Sequence, residues 1–207
     1  MLIKICGCRD PQEVESAVAA GASAIGVVLV PQARRAVTPQ QARCIIAAVP
    51  SGVLRVGVFR GQSAAEVEEL GMRAGLDAVQ LHDEEQTADC SRLRRRFLVL
   101  RRWNGEGPPP EDADWIVAEP RGGGGTGKAW DWSSALGLRE RAGRPMLLAG
   151  GLTPENVADA VACARPDAVD VSSGVEVDGR KDPMRIGAFC AAVRGWRDVG
   201  ANAWRDH

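Results

Sequence analysis

The chain has 207 residues, a length that fits one domain with a sizeable buried core. Apolar residues make up 45% of it and the formal net charge is −1, so neither a nucleic-acid-binding surface nor electrostatic attachment to a membrane is indicated. No apolar run approaches the roughly 18 residues of a membrane span. The N-terminus lacks the pattern of a signal peptide, so we expect a cytoplasmic protein.

Six cysteines are scattered along the chain, and in a reducing compartment we expect them to be free thiols. The only close pair is Cys6 and Cys8. No second pair and no cluster of histidines accompanies it, so a zinc site is not predicted.

Eight short apolar runs alternate with longer amphipathic segments. Their nearly continuous apolar character is typical of parallel strands that are buried on both faces. In chain order, the predicted strands are Leu2–Cys6, Ala24–Leu29, Leu54–Phe59, Ala78–Leu81, Phe97–Leu100, Trp115–Ala118, Pro145–Ala149 and Ala168–Val171.

Helix start signals lie between the runs. Asp10-Pro11 and Thr38-Pro39 each combine a capping side chain with proline at the first helical position. Ser63 stands three residues before Glu66, which is the spacing of a capping box. Thr153-Pro-Glu155 predicts the start of another helix.

The segment between the fifth and sixth strands is different. Between Trp103 and Trp115 it contains two glycines and three successive prolines, which cannot form a regular helix. We therefore expect a short loop in place of the fifth helix.

Repeated strand–helix units fit either a closed barrel or a doubly wound open sheet. The first strand is not followed by G-x-G-x-x-G, which weakens a dinucleotide-binding interpretation. We predict an α/β fold, a single (β/α)8 TIM barrel with a reduced fifth helix, over residues 1–198. Residues 199–207 are predicted to be a C-terminal tail.

In such a barrel the active site lies at the C-terminal ends of the strands. Cys6 ends the first strand, where its thiol is either a reactive group or a small buried apolar side chain. Arg34 and Arg35 follow the second strand, and a guanidinium there either binds a carboxylate or is simply solvated. His82 ends the fourth strand, at the same rim.

Two small-residue turns follow the seventh and eighth strands, where barrels often bind phosphate through backbone N–H groups. Gly150 and Gly151 form the first turn, and Ser172, Ser173 and Gly174 form the second. A glycine-rich segment after the sixth strand, Gly122–Lys128, lacks the spacing of a P-loop. Asp170, on the eighth strand, is expected to point toward the same mouth.

Motifs along nearly the whole chain resemble the phosphoribosylanthranilate isomerase family of tryptophan biosynthesis. They are Lys4-Ile-Cys-Gly7, Arg35 with Thr38-Pro39, Arg55-Val-Gly-Val-Phe59, Ala78-Val-Gln-Leu-His82, Gly124-Gly-Thr-Gly-Lys128 with Trp130-Asp-Trp132, Gly150-Gly-Leu-Thr-Pro-Glu-Asn156 and Asp170-Val-Ser-Ser-Gly-Val-Glu176.

The resemblance implies an Amadori rearrangement of a phosphorylated aminosugar that needs an acid and a base but no metal or redox cofactor. It implies that Cys6 is the general base and that Arg35 binds the anthranilate end of the substrate. His82 and Asp170 would line the cleft. It assigns the phosphate to Gly150, Gly151, Ser173 and Gly174.

The chain departs from the family at the end of the sixth strand, where the family has an aspartic acid as general acid. That position falls on either Ala118 or Glu119, and we favour Glu119, whose longer side chain can still supply a carboxylic acid. Asp83 stands where the family usually has glycine, and the fifth unit is short.

Three functions remain open. The first is the family's isomerase activity on N-(5-phosphoribosyl)anthranilate. The second is a related activity on a modified anthranilate or another aminosugar phosphate. The third is phosphosugar binding without catalysis, which Cys6 argues against because a binder needs no base. The sequence does not indicate an oligomeric state.

Overall fold

A computed structural model describes residues 1–82, 90–119 and 132–196, in which strands and helices alternate. The barrel strands are β1 (Leu2–Cys6), β2 (Ala24–Val28), β3 (Leu54–Phe59), β4 (Ala78–Leu81), β5 (Leu98–Trp103), β6 (Trp115–Ala118), β7 (Met146–Leu148) and β8 (Ala168–Val171). The helices are α1 (Pro11–Ala19), α2 (Pro39–Ala47), α3 (Ala64–Ala74), α4 (Cys90–Leu93), α5 (Leu138–Ala142), α6 (Val157–Ala164) and α7 (Pro183–Gly195). Short 3-10 turns cover Trp132–Ala135 and Ser173–Val175, and a small hairpin joins β9 (Glu176–Val177) to β10 (Arg180–Lys181).

The eight strands form a closed parallel barrel in sequence order, with β1 paired to both β2 and β8. The predicted barrel is therefore confirmed. Most strand bounds agree with the apolar runs, but β5 begins at Leu98 and continues to Trp103, and β2 and β7 are shorter than predicted. Polar Arg101 and Arg102 concealed the end of β5 from a search for apolar runs.

Three of the predicted helix starts are confirmed. Asp10, Thr38 and Ser63 each accept a hydrogen bond from the backbone N–H three residues later, and the last two complete capping boxes.

The fourth predicted helix is present, but it begins later than its predicted start. Helix α6 begins at Val157, because residues 153–156 fold into a turn. The Thr153 N–H donates to Asn156 Oδ1 (2.8 Å) and the Asn156 amide donates to the Gly151 carbonyl (3.0 Å). The turn thus attaches the segment to the glycines that follow β7.

A loop replaces the fifth helix, as predicted, since residues 104–114 contain no helix. The Trp103 indole N–H donates to the Glu106 carbonyl (2.9 Å), and the buried Arg101 side chain donates to Asp112 (2.6 Å). The indole hydrogen bond and the ion pair therefore hold this loop against the end of β5.

The apolar core consists of two layers, and polar groups occupy the C-terminal half of the barrel interior. One layer lies between the strands and the helices, and the other fills the N-terminal half of the interior. The inner layer consists of Ala24, Val56, Ala78, Leu100, Val117, Leu147, Ala149 and Ala168. Because side chains alternate along a strand, the next inward positions toward the C-terminal ends form the mouth.

Each of the six cysteines is a free thiol. Within the parts of the chain that the structure describes, no helix is long and apolar enough to cross a membrane. The tail predicted at 199–207 lies outside the described residues, so the boundary at residue 198 stays a prediction.

Candidate active site

A cavity of about 320 Å³ opens at the C-terminal ends of the strands. Of the residues singled out in the sequence, its lining includes Cys6, Arg34, Arg35, His82, Glu119, Gly150, Gly151, Asp170, Ser172 and Ser173. Residues from opposite ends of the chain thus share one cleft. The segment Gly122–Lys128 and Asp83 lie outside the described residues.

A buried ion pair lies beside Cys6, at the floor of the cavity. Lys4 Nζ donates to Asp170 Oδ1 at 2.9 Å, and both side chains are buried. Burial raises the pKa of the Cys6 thiol, and the charge and hydrogen bond of Lys4 oppose that rise. Burial would lower the pKa of Lys4, but Asp170 and Cys6 together more than compensate and raise it, so Lys4 stays cationic.

The geometry separates the two candidates at the end of β6. Val117 belongs to the inner apolar layer and Ala118 to the layer that faces the helices. Glu119 therefore turns inward, where its side chain lines the cavity and is 5% exposed. Burial raises the pKa of Glu119, while the nearby Arg102 lowers it.

Two nitrogen atoms flank the same carboxylate oxygen. Glu119 Oε2 lies 3.5 Å from His82 Nδ1 and 3.5 Å from Arg102 Nε. Among the described residues this oxygen has no hydrogen-bond partner, so it can transfer a proton to a ligand.

His82 is a neutral group in this site. Burial, together with the positive charges of Arg60, Lys4 and Arg102, lowers its pKa to about 4. The Gln80 amide donates to His82 Nε2 at 3.0 Å. This arrangement makes Nε2 the acceptor and leaves the ring proton on Nδ1, toward Glu119.

On the other side of the cleft, Glu176 binds three cations. Its carboxylate accepts from Arg35 Nε (2.5 Å) and Nη2 (2.8 Å), from Lys181 Nζ (2.9 Å) and from Arg34 Nη2. Burial opposes ionisation, but Arg35 and Lys181 lower the pKa of Glu176 to about 2. Lys181 also donates to the Ser172 carbonyl (2.9 Å), which links this cluster to the turn after β8.

The two glycine-containing turns are packed against each other. Gly150 and Gly151 line the cavity with φ values of 93° and 69°, which favour glycine. Gly174 is not part of the lining. A Cβ there would lie 1.9 Å from the Leu152 carbonyl oxygen, so glycine is needed for the close approach of the two loops.

Sequence reasoning assigned no role to Lys4, Arg102 or Glu176. Lys4 and Arg102 each lie two residues from an inward-facing position, so strand alternation could have placed both inside the barrel. In the sequence, Glu176 is only the last residue of the motif that begins at Asp170. Its contact with Arg35 spans 141 positions in the chain and gives no local signal.

The family model for N-(5'-phosphoribosyl)anthranilate isomerase matches residues 3–192. The chain belongs to this family. An isomerase of this name from Pseudomonas fluorescens Pf-5 is 44% identical over 205 residues, which cover 92% of this chain and 94% of the relative. The resemblance seen in the motifs is thereby confirmed.

Solved phosphoribosylanthranilate isomerases share the fold. The Thermus thermophilus enzyme superposes with a TM-score of 0.86 at 35% identity, covering 95% of this chain and all of that one. Another isomerase, in complex with reduced 1-(o-carboxyphenylamino)-1-deoxyribulose 5-phosphate, has a TM-score of 0.81 at 34% identity and covers 95% of this chain and all of its own.

Proposed function

We propose that this protein isomerises N-(5-phosphoribosyl)anthranilate to 1-(2-carboxyphenylamino)-1-deoxyribulose 5-phosphate in tryptophan biosynthesis. The observation that carries the proposal is the meeting of Cys6 and Glu119 in one cavity whose wall includes the Gly150–Gly151 turn. An acid and a base that line one cleft are what this rearrangement requires.

Glu119 is the general acid in this proposal. Its carboxyl proton passes to the furanose ring oxygen as the bond from that oxygen to C1 breaks, and the substrate nitrogen forms a protonated imine with C1. The raised pKa of Glu119 favours the protonated form that this step needs. His82, being neutral, contributes a hydrogen-bond donor on Nδ1 without competing as an acid.

Cys6 is the general base. Its thiolate removes the proton from C2, the electron pair forms a C1–C2 double bond, and the imine nitrogen becomes neutral. The resulting enolamine then tautomerises to the ketone. Lys4 lies beside the thiol and favours the thiolate, against the effect of burial.

Other residues of the cleft bind the anthranilate, sugar and phosphate groups of the substrate. Arg35 binds the anthranilate carboxylate, and Asp170 contacts the sugar while it holds Lys4. Gly150, Gly151 and Ser173 bind the phosphate, and Gly174 supports the packing of their turns. We also propose that the enzyme works in the cytoplasm, where its thiols stay reduced.

The decisive experiment compares Cys6→Ala with wild type in a fluorescence assay for turnover of N-(5-phosphoribosyl)anthranilate. We expect a loss of at least about 100-fold in kcat, which is the usual contribution of a general base. Binding of the reduced product analogue should persist. Cys44→Ser is the matched control, because that thiol is exposed on α2 and far from the cleft.

Other results would favour the other functions. Full activity of Cys6→Ala would reject the base assignment. A folded wild-type protein that binds the analogue without turnover would favour a non-catalytic phosphosugar binder. Turnover of a substituted anthranilate in strong preference to the unsubstituted one would favour a diverged enzyme.

A further inference from the structure

The contact between Arg35 and Glu176 involves a specific edge of the guanidinium. Glu176 Oε1 and Oε2 accept from Nε (2.5 Å) and Nη2 (2.8 Å), so the carboxylate occupies the side of the group nearest the chain. Among the described residues, the N–H groups of Nη1 and the second N–H of Nη2 have no hydrogen-bond partner. They form the outer edge, which can bind a second carboxylate through two parallel hydrogen bonds.

The Arg35 side chain also packs against the backbone at Gly7. A Cβ on Gly7 would lie 2.5 Å from Arg35 Cδ, so the arginine stem packs directly on the backbone that follows Cys6. The Arg35 side chain is only 13% exposed although it lines the cavity. With its stem packed on Gly7 and its inner edge bound by Glu176, the guanidinium has little freedom to rotate.

Glu176 is itself held in place by a contact with Lys181. Its side chain is 5% exposed, and Lys181, which is 1% exposed, donates to its Oε1 at 2.9 Å. Lys181 also donates to the Ser172 carbonyl, and the Ser172 hydroxyl donates to the Cys6 carbonyl (3.0 Å). The carboxylate is therefore anchored to the same rim as the proposed base.

We propose that Glu176 is a positioning residue for substrate specificity: it aligns Arg35 so that the outer guanidinium edge meets the aromatic carboxylate of the substrate. This inference rests on the role of Arg35 proposed above. Glu176 itself need not touch the ligand.

Two physical effects of removing the Glu176 charge have opposite signs. If Glu176 only balanced charge, its loss would leave Arg34, Arg35 and Lys181 without a counterion, and an anionic ligand would bind more tightly. If Glu176 positions Arg35, its loss lets the guanidinium rotate, and the ligand carboxylate binds more weakly. The direction of the change therefore separates the two effects.

The experiment uses two ligands that differ in one group. Reduced 1-(2-carboxyphenylamino)-1-deoxyribulose 5-phosphate carries the carboxylate, and its phenylamino counterpart lacks it. Calorimetry gives Kd for both ligands with wild type, Glu176→Gln and Glu176→Asp. The aspartate variant keeps the charge, and therefore tests alignment separately, because its shorter side chain cannot reach both Arg35 and Lys181 as before.

For Glu176→Gln we expect Kd of the carboxylate ligand to rise roughly tenfold, the effect of losing one charge-assisted hydrogen bond, with little change for the phenylamino ligand. Glu176→Asp should show the same selective loss to a smaller degree. In turnover assays, KM should rise more than kcat falls. Glu68→Gln is the matched control, since Glu68 binds Arg92 and Arg96 away from the cleft and should leave both ligands unaffected.

Unchanged or tighter binding of the carboxylate ligand by Glu176→Gln would overturn the inference. An equal loss of both ligands would also overturn it, because it would indicate a general structural role. Arg35→Met tests the underlying assignment separately. If that variant does not discriminate between the two ligands, the proposed role of Arg35 fails, whatever Glu176 does.

Discussion

At both Cys6 and Glu119, a neighbouring cation opposes the effect of burial on the pKa. Burial raises the pKa of each group. Lys4 lies beside the thiol, and Arg102 Nε lies 3.5 Å from the carboxylate of Glu119. Each neighbour favours the anionic form of its partner, so the proton balance of the site depends on both cations.

We predict that Arg102→Met raises the pKa of Glu119. The groups facing Glu119 are His82 from β4, Arg102 from β5, Lys4 and Asp170 from the floor, and Arg60 from the end of β3. Loss of the Arg102 cation destabilises the carboxylate. One limb of the pH profile of kcat/KM should report the ionisation of Glu119, and the variant Glu119→Asp identifies it as the limb that moves. In Arg102→Met, we expect that limb to shift to higher pH.

Arg101→Met is the control for this shift. Arg101 is the adjacent residue, but its side chain points away from the interior and pairs with Asp112. Its loss should leave the profile in place. A limb that stays fixed or moves to lower pH in Arg102→Met would contradict the prediction.

The acid role of Glu119 has its own test. Glu119→Gln preserves the size of the side chain but cannot release a proton, so we expect kcat to fall by about 100-fold or more. Glu119→Asp should retain part of the activity, because a carboxylic acid remains. Steady-state turnover of N-(5-phosphoribosyl)anthranilate measures both, and an unchanged kcat in Glu119→Gln would reject the assignment.

At the level of elements, the sequence predicted those features whose signal is local. Apolar runs located the strands, and Asp10, Thr38 and Ser63 located helix starts through contacts three residues away. The start of α6 could not be predicted in this way. Thr153-Pro has the composition of a cap, but Asn156 forms a competing turn with the glycines after β7.

The close contact between the loops after β7 and β8 predicts the effect of Gly174→Ala. The added Cβ would lie 1.9 Å from the Leu152 carbonyl oxygen, which belongs to backbone and cannot simply rotate away. The two loops must separate, so we expect a lower melting temperature and a higher KM. Differential scanning calorimetry and steady-state kinetics provide the two measurements.

Gly187→Ala is the matched control. Gly187 lies within α7, and a Cβ there meets nothing within 4 Å. Alanine in a helix interior is favoured over glycine by about 0.5–1 kcal/mol, so this variant should be equally or more stable. A Gly174→Ala protein that matches it in stability and KM would contradict the proposed packing.

Closure of the barrel is the property of the whole molecule that creates the site. Lys4 and Asp170 are 166 residues apart and form one ion pair because β1 lies beside β8. The order of strand–helix units predicted this proximity. It did not predict which polar side chains would meet, because those contacts depend on the register and tilt of the closed sheet. Strand alternation could place Arg102 inside the barrel but could not predict its contact with Glu119. Glu176 lies outside the barrel strands, in β9, and its contact with Arg35 has no local signal in the sequence.

The stability of the whole fold should decrease on acidification partly through His82. Its folded pKa is about 4, against an ordinary value of 6.5. Between these values the unfolded chain binds a proton that the folded protein does not, so this contribution is present above pH 6.5 and is lost as the pH falls toward 4. One such proton changes the free energy of unfolding by at most about 1.4 kcal/mol per pH unit.

The variant His82→Asn isolates this contribution from the other titrating groups. The two proteins share the opposing contribution of Glu119, whose raised pKa favours folding at low pH. They also share the contribution of Glu176, which is lost as the pH falls from 4.5 toward 2. Urea denaturation at several pH values gives the difference in unfolding free energy between wild type and variant. That difference should be constant above pH 7 and should move steadily against wild type from pH 6.5 to 4. A constant difference over the whole range would mean that His82 binds a proton as readily in the folded protein as in the unfolded chain.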